Sequence, residues 1–359
     1  MDKSIVFFIP AEQSKDIERL GYLLKVLIKE SELLEDTEKH SLVAIKLTFG
    51  EKDNKGFLDP RLVKIIVERL KKKGAKPFLT DTNVIYPGKR TNAVDHLELA
   101  SGHGFSWEAL NCPLFIGDGL LGESSRELEI DKKHIKSAHI APFIFYIEHL
   151  ISLAHFTGHL LTGFGATLKN LGMGLATRKG KLQLHANIKP KVIAKNCRFC
   201  KLCIANCPTK AIVEKENFCF IQEERCLGCG ECLVACKFNA IEVDYGEEVN
   251  ILCEKIIEYA YAVLKGVKRK AFFNFLVHIT KECDCMAKDD PLVIPDIGIL
   301  ASTDPVAVDK AGVDLAREKA GRDIFKELHP KSARCEIQLE YAQNIGLGSL
   351  DYELITLKS

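Results

Sequence analysis

The sequence predicts an α/β protein, a mostly parallel sheet domain interrupted by a small α+β domain dense in cysteine. Three observations carry this expectation. Short runs of Val, Ile, Leu and Phe alternate with amphipathic stretches before residue 190, and the pattern resumes near 246. The apolar runs are continuous, as in strands covered by helices on both faces. Between the two stretches, eight of the chain's 14 cysteines fall in two tight quartets.

Taken in order, Ser4–Ile9 reads as a strand and Asp16–Leu34 as an amphipathic helix. His40–Phe49 is a second strand, rich in Val, Ile and Leu. Asp59-Pro60 opens a helix through Lys73, with Pro in its first turn and Gly74 as its stop. Lys76–Thr80 is a third strand and Pro113–Gly117 a fourth. Beyond the cysteines, Val249–Lys265 reads as a helix and Phe272–Thr280 as a strand. A turn at Thr303-Asp304-Pro305 precedes a helix over Asp309–Lys319. The simplest division is an α/β domain whose first part is 1–189, a cysteine unit over 190–245, and the second α/β part over 246–359. Insertion into a surface loop is easy where the ends of the loop lie close. The alternative, two unrelated α/β domains flanking the cysteine unit, is disfavoured by the shortness of the C-terminal part.

The cysteine unit reads Cys197-x-x-Cys200-x-x-Cys203-x-x-x-Cys207-Pro208, then Cys226-x-x-Cys229-x-x-Cys232-x-x-x-Cys236. A shift of 29 residues lays Cys197 on Cys226, Ala211 on Ala240 and Ile212 on Ile241, as an internal duplication requires. Three cysteines spaced by two residues wrap one face of a four-iron cubane, and the fourth reaches the other cluster. This predicts two [4Fe-4S] clusters. The first takes Cys197, Cys200, Cys203 and Cys236; the second takes Cys226, Cys229, Cys232 and Cys207. Paired zinc sites are the other use of so many thiolates, but they take two cysteine pairs separated by a longer span. A radical-adenosylmethionine triplet fails because Lys210 and Asn239 stand where its third cysteine belongs. The unit resembles a bacterial two-cluster ferredoxin domain. Lys237 replaces the proline of the first run, a change in loop stiffness that leaves the ligands intact.

Composition limits the rest. With 50 Lys and Arg against 49 Asp and Glu, the net charge of +1 argues against a nucleic-acid partner. No run approaches 18 apolar residues, and the best, Ile140 to Leu153, is broken by Glu148 and His149, so no membrane span is expected. The N-terminal apolar run is too short for a signal-peptide core. Together with abundant cysteine, this predicts reduced thiols and metal ligands in a cytoplasmic protein.

A second constellation lies outside the cysteine quartets. His155-Phe-Thr-Gly-His159 leads into a glycine-rich stretch that ends Lys169-Asn170-Leu-Gly172-Met-Gly174. If helical, this segment puts His155 and His159 on one face, although Gly158 weakens the helix. Cys283-Asp284-Cys285 ends the Phe272–Thr280 strand, so both thiols face one way if the chain is extended. They are candidate ligands with the two histidines for an additional metal ion, or a substrate site, or ordinary thiols. Ile297–Asp309 reads as strand, turn and capped helix, with Asp304 and Asp309 in structural roles. Lys46, at a strand end, is either a solvated charge or a contact for an anionic substrate. Cys112, Cys219, Cys253 and Cys335 read as small buried hydrophobes. No dinucleotide or phosphate-loop fingerprint is present.

The order of these motifs resembles the DUF362 family of iron–sulfur proteins over nearly the whole chain. The motifs are the Lys46 strand, H-F-x-G-H-x-x-x-G-F-G-x-x-x-K-N-x-G-M-G, the cysteine repeat, C-D-C, and P-D-x-G-x-L-A-S-x-D-P-V-A-x-D. The resemblance implies a shared site built from these motifs and names no reaction. The expected function is a reductase in which the clusters pass electrons to the α/β domain. There Cys283, Cys285, His155 and His159 hold a metal or a small-molecule substrate, and Lys169, Asn170 and Lys46 polarise it. The electron partner is a soluble ferredoxin or flavodoxin. The competing expectations are a docking module without chemistry of its own and clusters that are structural or sensory.

Overall fold

The computed structural model describes residues 3–11, 16–86, 88–185, 190–226, 232, 235–236, 238, 240–242 and 247–358. Eight strands form the central sheet. In spatial order they are Tyr352–Thr356, Ser4–Pro10, Gly298–Ser302, Arg269–Leu276, His149–His155, Leu42–Lys46, Lys76–Asp81 and Leu114–Ile116. Gly298–Ser302 runs antiparallel to both neighbours and every other pairing is parallel. The α/β class and the mostly parallel sheet are therefore as the sequence predicts.

Both faces of the sheet are covered. Phe272 and Leu276 join Ala44, Leu150 and Leu300 in one core, under Glu247–Leu264, Pro305–Ala320 and Cys335–Asn344. Phe273 and Phe275 point the other way, with Val43, Ile45, Ile151 and Ile299, against Ile17–Ser31 and Pro60–Lys72. Successive strand residues face opposite sides, so a strand apolar at every position is buried on both.

The signals at Asp59 and Gly74 act as expected. Asp59 caps Pro60–Lys72 through the Arg61 amide, and Gly74 takes a φ of 77° just past the helix end. Elsewhere the elements shift. The helix expected from Asp309 begins at Pro305, because Thr303-Asp304-Pro305 is its cap rather than a separate turn. The strand expected over Phe272–Thr280 is Arg269–Leu276, so Cys283-Asp284-Cys285 lies in a turn well beyond its end. The segment of His155 and His159 is not helical. His155 ends a strand, and His159 ends Thr157–His159, which pairs with Gly163–Gly165 as a hairpin. Ile140 to Leu153 divides into a strand end, a 3-10 turn at Pro142–Tyr146 and the central strand His149–His155. Among the described residues, no helix is long and apolar enough to cross a membrane.

Central strands from both sides of the cysteine-rich insert are neighbours, His149–His155 pairing with Arg269–Leu276. The two ends of the insert also pair, Lys191–Val192 with Ile241–Glu242. Its duplication is visible locally. The 3-10 turns Ala194–Asn196 and Glu223–Arg225 immediately precede Cys197 and Cys226.

Asp304 ties the two termini of the fold to this architecture. Its carboxylate accepts hydrogen bonds from the Val306 and Ala307 amides, the Ser349 amide and Ser4 Oγ, at 2.6–2.9 Å. Asp304→Ala is expected to lower stability by about 2–3 kcal/mol, seen as a lower urea midpoint at unchanged slope.

Candidate functional site

The parallel strands Leu42–Lys46, Lys76–Asp81 and His149–His155 all end at one edge of the sheet, where α/β proteins place their sites. A cavity of about 160 Å³ opens there, lined by Asp81, Arg90, His155, His159, Lys169, Lys181, Cys283 and Cys285 among others.

The helix Thr167–Gly172 presents Lys169 and Asn170 to this cavity. Its preceding residue, Ala166, has no side chain able to cap it. Asp309 does so from a distance in sequence. Its buried carboxylate accepts the Thr167 and Leu168 amides at 3.0 and 2.8 Å and the Asn274 side-chain amide at 2.7 Å. Burial pushes the Asp309 carboxyl up to about 7, while the three donors pull the other way. The two glycines of the K-N-L-G-M-G motif permit close packing. A Cβ at Gly172 would meet the Ile256 carbonyl oxygen at 2.1 Å, and one at Gly174 would meet the Lys46 ammonium nitrogen at 2.6 Å.

Two of the three polar residues expected to polarise a substrate are already committed. Lys46 is fully buried, 3.0 Å from Asp81, 2.8 Å from Asn170 Oδ1 and 3.0 Å from the Leu47 carbonyl. Its pKa is lowered by burial despite Asp81. Three acceptors use the three ammonium hydrogens, so Lys46 does not face a substrate. Asn170 donates to the Lys46 carbonyl at 3.1 Å and Ser152 Oγ at 2.9 Å. With both hydrogens used, it cannot polarise a carbonyl. These residues brace the site.

Lys169 is different. Its Nζ lies 3.4 Å from Cys283 Sγ, and among the described residues no carboxylate stands at ion-pair distance. Burial, aided by repulsion from Arg90, lowers its pKa to about 8.

The expected four-ligand group separates. A ring nitrogen of His159 and the sulfurs of Cys283 and Cys285 lie within 4.8 Å of one another, and the two sulfurs are joined as a disulfide. His155 belongs elsewhere. Its Nδ1 lies 2.9 Å from Asp284, and its Nε2 lies 3.0 and 3.1 Å from the carbonyls of Val277 and His278. All these partners are acceptors, so both ring nitrogens carry protons and neither can ligate a metal. Burial opposes that charge, but Asp284 and the two carbonyls win and raise the pKa.

Several site residues carried no signal in the sequence. Arg90 pairs with Glu51 at 3.2 Å and Asp81 at 3.5 Å, and reaches the Cys285 carbonyl. Lys181 donates to Thr82 Oγ1 and the Asn83 carbonyl at 2.5 and 2.6 Å. Burial lowers its pKa to about 8. Each is an isolated charge in sequence and joins the site only through folding.

In the insert, Cys197, Cys200, Cys203 and Cys236 line one small cavity, together with Cys219. The first four are the set that the spacing assigns to the first cluster. The fifth was expected to be plain core and carries no ligand spacing. Equivalent backbone amides meet equivalent sulfurs: Ala211 N lies 3.2 Å from Cys207 Sγ, and Ala240 N lies 3.3 Å from Cys236 Sγ. Cys207, Cys226 and Cys232 pack in the same small core. Cys229 lies outside the described residues.

Residues 43–314 match the family model described as Domain of unknown function (DUF362), and the chain belongs to that family. It also carries a short ferredoxin-like iron–sulfur segment. The chain is 37% identical over 57 residues to "Electron transport protein HydN" of Escherichia coli K12, covering 16% of this chain and 32% of that protein. It is 33% identical over 61 residues to "Ferredoxin-1" of Caulobacter vibrioides, covering 16% of this chain and 54% of that protein. The chain thus spans about a third to a half of the length of these curated relatives. Among solved structures, the lactate racemase apoprotein from Thermoanaerobacterium thermosaccharolyticum aligns at a TM-score of 0.38 and 13% identity, over 76% of this chain and 50% of that one. A protein from Thermotoga maritima aligns at 0.40 and 12%, over 84% and 59%.

Replacing Lys46 by Met leaves Asp81 buried with one ionic partner fewer. The expected loss is about 3–5 kcal/mol, read from the urea midpoint of Lys46→Met against the parent.

Proposed function

We propose that this chain is an iron–sulfur redox protein whose insert holds two [4Fe-4S] clusters and passes electrons to the cavity of the α/β domain, where a small molecule is reduced. The observation that carries this reading is the convergence of Cys197, Cys200, Cys203 and Cys236 on one cavity. These cysteines come from both halves of the repeat, as interleaved cubane ligation requires. Structural zinc would draw its ligands as local pairs.

The place of the insert supports the second half of the proposal. His185, the last residue of Arg178–His185, lines the α/β cavity, and so do Leu252 and Ile256 of Glu247–Leu264. The chain therefore leaves for the insert and returns from it beside the cavity. Cys200 is exposed, which opens the first cluster site to a soluble donor such as a ferredoxin or flavodoxin.

When bound, the clusters supply one-electron transfer at low potential. The chain's own residues tune and receive it. The amides of Phe199, Ala211 and Ala240 donate to Cys197, Cys207 and Cys236 Sγ, which withdraws charge from those thiolates and raises their potential. In the α/β cavity, Lys169 offers an ammonium without a carboxylate partner among the described residues, suited to an anion or a polarised carbonyl.

Protein purified without oxygen is expected to hold about eight iron and eight acid-labile sulfide per chain. Zinc with no sulfide overturns the proposal. Cys200→Ser is expected to lose about half of the iron.

A further inference from the structure

Cys283 and Cys285 are separated by one residue, sit in a turn, and form part of the cavity wall. A crosslink that closes so short a loop removes little entropy from the unfolded chain, so its service to fold stability is small. The surroundings fit a different use. Lys169 Nζ, 3.4 Å from Cys283 Sγ, has no competing carboxylate at ion-pair distance among the described residues. An ammonium beside sulfur stabilises a thiolate, the form that appears when a disulfide is reduced.

The neighbouring imidazole agrees. His159 Nδ1 accepts the Leu161 and Thr162 backbone amides at 3.2 and 3.1 Å, which fixes its proton on Nε2. A metal-binding histidine does the reverse, donating its outer N–H so that the other nitrogen can ligate. As held here, neither nitrogen is a free ligand, although the ring stands within 4.8 Å of both sulfurs. The turn itself is anchored: Asp284 pairs with His155, Arg90 reaches the Cys285 carbonyl, and Tyr86 donates to that carbonyl at 3.1 Å. None of these anchoring contacts involves a sulfur, so none of them depends on the sulfur–sulfur bond itself.

We propose that Cys283 and Cys285 are a redox-active pair that holds two electrons at the cavity, with Lys169 as the residue that stabilises the reduced form. This rests on the reading that electrons reach the cavity through the iron–sulfur insert. In the reductive step the sulfur–sulfur bond breaks on uptake of two electrons, supplied singly by two oxidation events in a low-potential iron–sulfur donor. Cys283 is released as the thiolate opposite the Lys169 ammonium, and Cys285 takes up one proton from bulk solvent, so that the disulfide, two electrons and one proton give one thiolate and one thiol. The pair so converts two one-electron deliveries into one two-electron equivalent, the unit that reduction of an organic substrate consumes.

The test uses the full-length cluster-loaded protein under anaerobic conditions. It is treated with a photoreduced deazaflavin, quenched with iodoacetamide, and the peptide holding residues 283–285 is weighed, while cluster absorbance is followed in the same sample. The expected result is no alkylation before reduction, two alkyl groups after it, and none in Cys200→Ser given the same dose. Lys169→Gln is expected to hold its clusters and lower the fraction of reduced pair at a fixed ambient potential by about tenfold. If the clusters bleach and the peptide stays unalkylated, the relay is overturned and the iron–sulfur reading stands. If no clusters are present, that reading fails first. A pair alkylated before any reduction, a metal released on alkylation, or equal reduction in Cys200→Ser also overturns the proposal.

Discussion

The site depends on one buried carboxylate. Thr167–Gly172 is a single short helix, far below the length that holds itself together in water. Asp309 reaches its first two amides and at the same time grips Asn274 of the central strand Arg269–Leu276. That contact fixes the helix against the sheet edge, and with it the direction in which Lys169 and Asn170 leave the backbone. Close approach at Gly172 to the Ile256 carbonyl holds the other end against Glu247–Leu264, the helix that follows the insert. One acceptor and one missing side chain therefore link the second α/β segment, the cavity and the exit of the insert.

Around that helix the charges divide into those that are spent on each other and those that are not. Lys46, Asp81, Arg90, Glu51 and Asn170 form a buried network with the partners each requires. Such networks rigidify when complete and are costly when any member is removed. His155 and Asp284 make a second closed pair. What faces the cavity outside these pairs includes the Lys169 ammonium, the Lys181 ammonium on two neutral acceptors, the His159 ring and two sulfurs. This is a set suited to moving electrons with protons, and poorly suited to ligating a metal through four donors.

The sequence made the insert and the outline of the sheet legible because their signals are local. Ligand spacing is written within forty residues, and the apolar runs and the Asp59-Pro60 and Gly74 signals each act on their own neighbourhood. The cavity was legible only as a group of motifs. The spacing of His155 and His159 suggested a helix, but Gly158 sits where the Lys281 carbonyl comes close, leaving no room for a Cβ, and the chain makes a hairpin. The roles of Asn170 and Lys46 depend on partners more than a hundred residues apart. Arg90 and Lys181 belong to no pattern at all, because a buried charge is identified by what surrounds it. Likewise Asp309 caps a helix that begins 142 residues before it, a relation that no periodicity in one strand or helix can express.

The most direct test of electron passage from insert to cavity is a coulometric titration of the anaerobic, cluster-loaded protein with spin counting at each step. The account predicts about four electrons per chain, two of them visible as reduced-cluster spins and two silent in the sulfur pair. It also predicts that Cys283→Ser abolishes the silent uptake alone. An uptake of about two electrons, all accounted for by cluster spins, would contradict it.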